Sequence, residues 1–149
     1  MRAPRPLAPV ALLALALVGA AHAVDFRSVG PSPAVMYDAP ATKAKKLFVA
    51  PAGMPVEIVI ANGEWSRVRD AAGEFAWIEN KSLSDKRMLV VDVAQANARR
   101  SAADNAPVAF TVTRGVLLEL AGPISSGWIK VRHRDGDVGF LKAEEVWGE

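Results

Sequence analysis

The chain contains no cysteine. No disulfide can therefore staple it in an oxidising compartment, and no thiolate is present to act as nucleophile or metal ligand. Histidine is nearly as scarce, because His22 lies in the N-terminal segment and leaves His133 as the one imidazole in the remainder. A zinc site would have to recruit scattered carboxylates around that single ring. Tyrosine occurs once, at Tyr37, and aromatics make up 7% of the chain, too few for a stacked aromatic groove that docks proline-rich helices. The longest apolar run, Leu7 to Ala20, is interrupted by Pro9 and Gly19 and is shorter than the ~20 residues a membrane span needs.

These shortages narrow the chemistry. His133 sits in the turn His133-Arg134-Asp135-Gly136, where a turn residue is the expectation and a base paired with Asp135 the alternative. Ser125-Ser126 lies in a turn with no base nearby, and the neighbouring Glu144 and Glu145 should point apart rather than form an acid pair. No glycine-rich loop opens a helix to cradle phosphate. Catalytic residues, metal and cofactor are all expected to be absent.

What is present begins with an address. Arg2 and Arg5 precede the apolar run, and Ala21-His22-Ala23 gives an A-x-A cleavage pattern, so residues 1–23 read as a signal peptide cut after Ala23. An uncleaved N-terminal anchor is the alternative. Export to the periplasm or the medium follows, with no integral membrane segment after cleavage. The leader takes two of the 18 basic residues, and 18 − 2 = 16 matches the 16 acidic ones, so residues 24–149 are formally neutral. General attraction to nucleic acid is thereby unsupported; the run Lys43, Lys45, Lys46 has no interleaved aromatics beyond Phe48.

The remaining 149 − 23 = 126 residues suit one ordinary domain or two very small ones. Short β-prone runs punctuated by Gly, Pro and Asn dominate, and no stretch holds helical period over ten residues. Val24–Ser32 reads as loop, Ala34–Tyr37 and Leu47–Val49 as short strands, and Val56–Ile60 as a strand with Val56, Ile58 and Ile60 on one face. Asn80–Leu83 suits a single helical turn. Residues 84–87 form a short charged bridge into the strand starting at Met88, so the flanking modules should touch.

A repeat organises these runs. Trp65-Ser66-Arg67-Val68-Arg69, a glycine turn and Phe75-Ala76-Trp77-Ile78 return as Trp128-Ile129-Lys130-Val131-Arg132, a glycine turn and Val138-Gly139-Phe140-Leu141, 63 positions on. Upstream, Gly53–Ile58 matches Gly115–Leu120 at an offset of 62, which puts one extra residue in the second copy near Gly122–Gly127. A length change confined to a turn is what duplication tolerates. Trp65 and Val68 are three apart, which plain alternation cannot put on one face, so a bulge or a late strand start is expected near the tryptophan in both copies.

The second copy, with Asn97-Ala98-Arg99, Gly115–Leu120, Trp128–Arg132, Asp135-Gly136 and Gly139-Phe140-Leu141, resembles the bacterial SH3-like (SH3b) domains of exported proteins. The first copy departs further, having Tyr37-Asp38-Ala39-Pro40 for the arginine motif and Ala76 for the glycine before Trp77; the second has Ala102 in place of the motif's proline. The resemblance implies an all-β fold of two tandem small SH3-like barrels related by internal duplication and packed closely together, spanning residues 24–83 and 84–149. It also implies a non-catalytic binding role. The cysteine–histidine peptidase domains that often accompany such modules cannot be formed here.

For that role the candidate residues are Tyr37, Trp65, Trp77, Trp128 and Phe140, with Arg99 and Arg132 placed to meet a carboxylate. The expected partner is a cell-wall peptide or an envelope protein, bound by a monomer or a weak homodimer. The alternative is a structural or assembly scaffold without a ligand groove. Exposed aromatic clusters, Tyr37 with Trp65 or Trp128 with Phe140, favour binding; buried tryptophans favour scaffold.

Overall fold

The computed structural model describes Ala3 and residues 23–149. Apart from Ala3 and Ala23, the expected leader lies outside the described residues. From Phe26 onward the chain folds into short strands whose inner positions carry Val, Ile, Leu, Met and Ala. The first seven are β1 (Phe26–Val29), β2 (Ala34–Tyr37), β3 (Lys46–Ala50), β4 (Pro55–Asn62), β5 (Trp65–Arg69), β6 (Phe75–Glu79) and β7 (Leu83–Ser84). The second seven are β8 (Met88–Val91), β9 (Gln95–Arg99), β10 (Val108–Thr113), β11 (Leu117–Leu120), β12 (Trp128–Arg132), β13 (Val138–Lys142) and β14 (Val146–Trp147). Helical structure among the described residues is limited to the 3₁₀ turns Asn80–Ser82 and Ala143–Glu145.

These strands form two seven-stranded antiparallel sheets, ordered β3-β2-β6-β5-β4-β1-β7 and β10-β9-β13-β12-β11-β8-β14. Adding seven to each strand number of the first order gives the second, so the duplication is one of whole topology. Each sheet buries its own core. Val29, Met36, Val56, Val68 and Ile78 pack together in the first, and Leu89, Val91, Leu118, Ile129, Val131 and Leu141 in the second. The two clusters are separate.

Three local expectations are corrected. The Val24–Ser32 stretch is not all loop, because Phe26–Val29 is a strand. Polar Arg27 and Ser28 hide it in the sequence, and pairing with β4 on one side and β7 on the other holds it. No bulge lies in β5, which pairs regularly with β6 from Trp65↔Glu79 to Arg69↔Phe75; Trp65 faces outward and Val68 inward by plain alternation. The irregularity falls on the opposite strand, between Ile58 and Ile60 of β4. It ends the one-face pattern of Val56, Ile58 and Ile60, leaving Val59 and Ile60 exposed.

The extra residue of the second copy falls at this same place. There β11 stops at Leu120, Pro123 prevents a continued ladder, and only the bridge Ser125↔Trp128 repeats the first copy's Asn62↔Trp65 pairing. The β5–β6 and β12–β13 tips each need a glycine in the left-handed region, Gly73 at φ +84° and Gly136 at φ +95°.

The two modules touch. The Ser28 hydroxyl donates to the Lys86 carbonyl at 2.5 Å, and the Phe26 ring meets Trp147 edge-on with centroids 5.0 Å apart. The Arg87 guanidinium carbon lies 5.7 Å from the Phe26 ring centre, its Nη2 donates to the Gly148 carbonyl at 2.8 Å, and its Nε is buried without a partner.

Candidate functional site

Alternation along the central hairpin of each sheet sends one set of side chains to the core and the other outward. In the first copy Ser66, Val68, Ala76 and Ile78 are buried. Trp65, Arg67 and Arg69 on β5 then share the outer face with their partners Glu79, Trp77 and Phe75 on β6. Tyr37 on β2 pairs with Trp77, and its ring meets Trp65 edge-on, with centroids 5.3 Å apart and planes at 83°. The Arg67 guanidinium lies 4.7 Å from the centre of the exposed Phe75 ring, a cation–π contact. Glu79 is held by Lys81 at 2.8 Å, and the Glu79 hydrogen bond raises the Lys81 ammonium above its ordinary pKa. Arg69 Nε donates to Glu57 at 2.6 Å. Tyr37 is buried, while Trp65 and Trp77 are partly exposed.

The second copy presents different chemistry on the same frame. Arg99 takes the place of Tyr37, pairing with Phe140 as Tyr37 pairs with Trp77. Its Nη1 donates to the Ala106 carbonyl at 2.9 Å. Trp128 stands where Trp65 stands, but it faces the Lys142 ammonium, 5.8 Å from its ring centre, rather than a second ring. Asp104 accepts from Lys142 at 2.9 Å, and that hydrogen bond raises the ammonium's pKa. Arg99, Asp104, Trp128 and Lys142 thereby line a polar cleft of ≈140 Å³. Glu145, at its edge, is committed to structure: it accepts the Lys142 backbone N–H at 2.9 Å and closes the 3₁₀ turn.

The seven candidate residues therefore divide into groups. Tyr37, Trp65 and Trp77 come together, as do Arg99 and Trp128. Phe140 opens instead onto a cleft with Arg100, Lys130 and Asp137, and no ring contact joins it to Trp128 among the described residues. Arg132 lies at a separate opening with Lys86 and Arg134. Lys142 and Arg67 escape the sequence reading; their one signal is cationic residues placed within the repeated hairpin.

His133 occupies the position of Asp70. Asp70 Oδ1 accepts the N–H groups of Ala72 and Glu74, at 3.0 and 2.9 Å. His133 Nδ1 lies 3.3 Å from the Asp135 N–H and 3.1 Å from Asp135 Oδ2. The imidazole is a turn residue leaning on Phe110, with ring centres 6.0 Å apart, and is less solvated than its turn position suggests. Among the described residues no three of His, Asp and Glu gather as a metal site requires.

The family model described as "Bacterial SH3 domain" matches residues 30–85 and again residues 92–148. No curated protein matches the chain significantly. Among solved structures, NlpC2 from Trichomonas vaginalis is 14% identical with a TM-score of 0.39, over 85% of this chain and 49% of that one. NlpC1 from Trichomonas vaginalis is 13% identical with a TM-score of 0.39, over 94% and 51% respectively. An NlpC/P60 family protein from Bacillus cereus is 14% identical with a TM-score of 0.39, over 83% and 56%. The chain spans about half the length of these proteins. Likeness at this level says nothing about ligand or activity.

Proposed function

The chain belongs to the bacterial SH3 domain family in both of its halves, and from that premise we propose that it is a non-catalytic binding module of the cell envelope. Residues 1–23 direct export, residues 24–83 and 84–149 are the two modules, and the outer hairpin faces recognise cell-wall peptide or an envelope protein. One observation carries this reading: none of the four tryptophans belongs to either core. Trp65 and Trp128 instead hold equivalent, partly exposed positions on the outer faces. A large amphipathic ring kept at the surface twice over suits a contact anchor.

The test is co-sedimentation of the 24–149 protein with purified, partner-free peptidoglycan sacculi at two salt concentrations. Binding that survives the higher salt is expected, with Trp128→Ala losing it while the thermal unfolding midpoint stays within a few degrees. Absence of binding at both salts would move the partner to an envelope protein. A Trp128→Ala protein that fails to fold, losing the ~3–5 kcal/mol of a core aromatic, would remove the anchor assignment. The scaffold reading is favoured by a different observation, the Phe26–Trp147 contact, which spends one tryptophan on joining the modules.

A further inference from the structure

Where the two modules meet, an open cleft of ≈600 Å³ has an apolar floor formed by Pro51 of the first and by Met88, Val116 and Leu117 of the second. This volume is in the range of small-molecule sites. Its rim carries Lys86, Arg132 and Arg134, against one carboxylate, Glu119. The permanent charge is 3 − 1 = +2, in a chain whose residues 24–149 are formally neutral. Glu119 is shared loosely, with Oε2 3.2 Å from Lys86 Nζ and Oε1 3.7 Å from Arg132 Nη1. Most of the Arg132 donors are therefore free, and Arg134 has no ion-pair partner among the described residues.

The duplication supplies an internal control. Glu119, Arg132 and Arg134 correspond to Glu57, Arg69 and Ala71 of the first copy. There the pair is closed, Arg69 Nε donating to Glu57 at 2.6 Å, and alanine stands where the second copy has its free arginine. The same frame thus makes a neutral surface in one copy and a cationic rim in the other. Both versions open toward the other module, Ala71 beside Val90, Gly115 and Leu117 and Arg134 beside Pro51 and Ala52, and only the second offers free cationic groups there.

We propose that this cleft binds the carboxylate end of a short peptide bearing small apolar side chains. Arg132 and Arg134 hold the carboxylate through charge-assisted hydrogen bonds, with Lys86 adding charge, and the side chains rest on Met88, Val116 and Leu117. A bare inorganic anion would leave that floor unused. The peptide's source in the cell wall rests on the function proposed above; the location, between the modules rather than on a hairpin face, does not.

The experiment is an NMR titration of the ¹⁵N-labelled 24–149 protein with N-acetyl-alanyl-alanine, its C-terminal amide, and inorganic phosphate. Shifts are expected at Gly115–Leu117 and His133–Arg134 for the free acid alone, with Arg134→Gln and Lys86→Gln each weakening binding about tenfold. Both are exposed polar substitutions, and unchanged spectra elsewhere check that the fold is kept. Equal binding of the amide, equal binding of phosphate, shifts centred on Trp65 or Trp128, or an Arg134→Gln protein that binds as before would each overturn the proposal. Sacculus binding without any dipeptide titration would sink the cleft and leave the hairpin faces standing. Dipeptide binding in the cleft without sacculus binding would sink the hairpin-face reading and leave the cleft.

Discussion

The two copies keep one topology and, around the shared Trp65/Trp128 and Glu57–Arg69/Glu119–Arg132 positions, differ in what else they show to solvent. Met36, Val56, Val68 and Ile78 in the first core have Ala98, Leu118, Val131 and Leu141 in the second, apolar for apolar. Outside, Tyr37 against Trp65 becomes Arg99 in a polar cleft with Trp128, and Ala71 becomes Arg134. Duplicated frames need the same packing but not the same partner. The cores keep apolar character at these positions while the faces change chemistry, and the faces are where differences in recognition should be sought.

Two buried positions break that rule: Leu89, which has Arg27 as its counterpart, and Ile129, which has Ser66 and offers the strongest test. Ser66, almost fully buried, donates to Asn80 Oδ1 at 2.6 Å, and Asn80 Nδ2 donates to the Gly63 carbonyl at 2.9 Å. The second copy has Ile129, fully buried, opposite Ala143. Ile129→Ser should destabilise that module by about 3–5 kcal/mol, combining lost apolar burial with an unpaired hydroxyl. Adding Ala143→Asn should return part of the loss, because the Ala143 N–H already reaches the Gly127 carbonyl at 2.8 Å, as Asn80 N–H reaches Glu64. Denaturant unfolding of the single and double variants reads both effects. A double variant no more stable than the single one would mean the two frames are not interchangeable here.

A smaller effect is expected at Gly139, whose counterpart is Ala76. A Cβ added at Gly139 would lie 2.9 Å from the Ala98 Cβ and 3.2 Å from both the Arg99 carbonyl oxygen and the Phe110 ring. Two of those neighbours are fixed by β9, so they cannot rotate aside. Gly139→Ala should cost about 1–3 kcal/mol by overpacking, although the first copy carries alanine at the same place. Thermal unfolding measures it. An unchanged midpoint would show that β9 and β13 separate as easily as β2 and β6.

The limits of the sequence have the same physical origin. The repeat, the strand runs and the 3₁₀ turn at Asn80–Ser82 were legible because they depend on local pattern. Strand β1 was not, because Phe26–Val29 is made a strand by pairing with β4 and β7 rather than by its own residues. The β4 bulge does not follow from the Trp65–Val68 spacing, because the register with β6 puts these two residues on opposite faces and the irregularity on the partner strand. Within the candidate site, Tyr37 and Trp65 were legible as companions. Arg99 and Arg132 were set in one role, yet they open onto different clefts. The run Arg132-His133-Arg134 is visible in the sequence, but its convergence with Lys86 depends on how the modules pack.

The smallest expected effect lies at the join. Phe26 and Trp147 have Met88 and Ser84 as their counterparts, so this aromatic pair belongs to neither repeated module. Its edge-on geometry at 5.0 Å is the favourable one for two rings. A double-mutant cycle with Phe26→Leu and Trp147→Leu should give a coupling of about 0.5–1.5 kcal/mol. Calorimetry of the double variant should show a broader transition as the modules begin to melt independently. A coupling indistinguishable from zero would mean that the modules are held instead by the Ser28–Lys86 hydrogen bond and the Arg87–Phe26 contact, whose Ser28 and Arg87 have Val90 and Asp25 as counterparts and so are not repeated either.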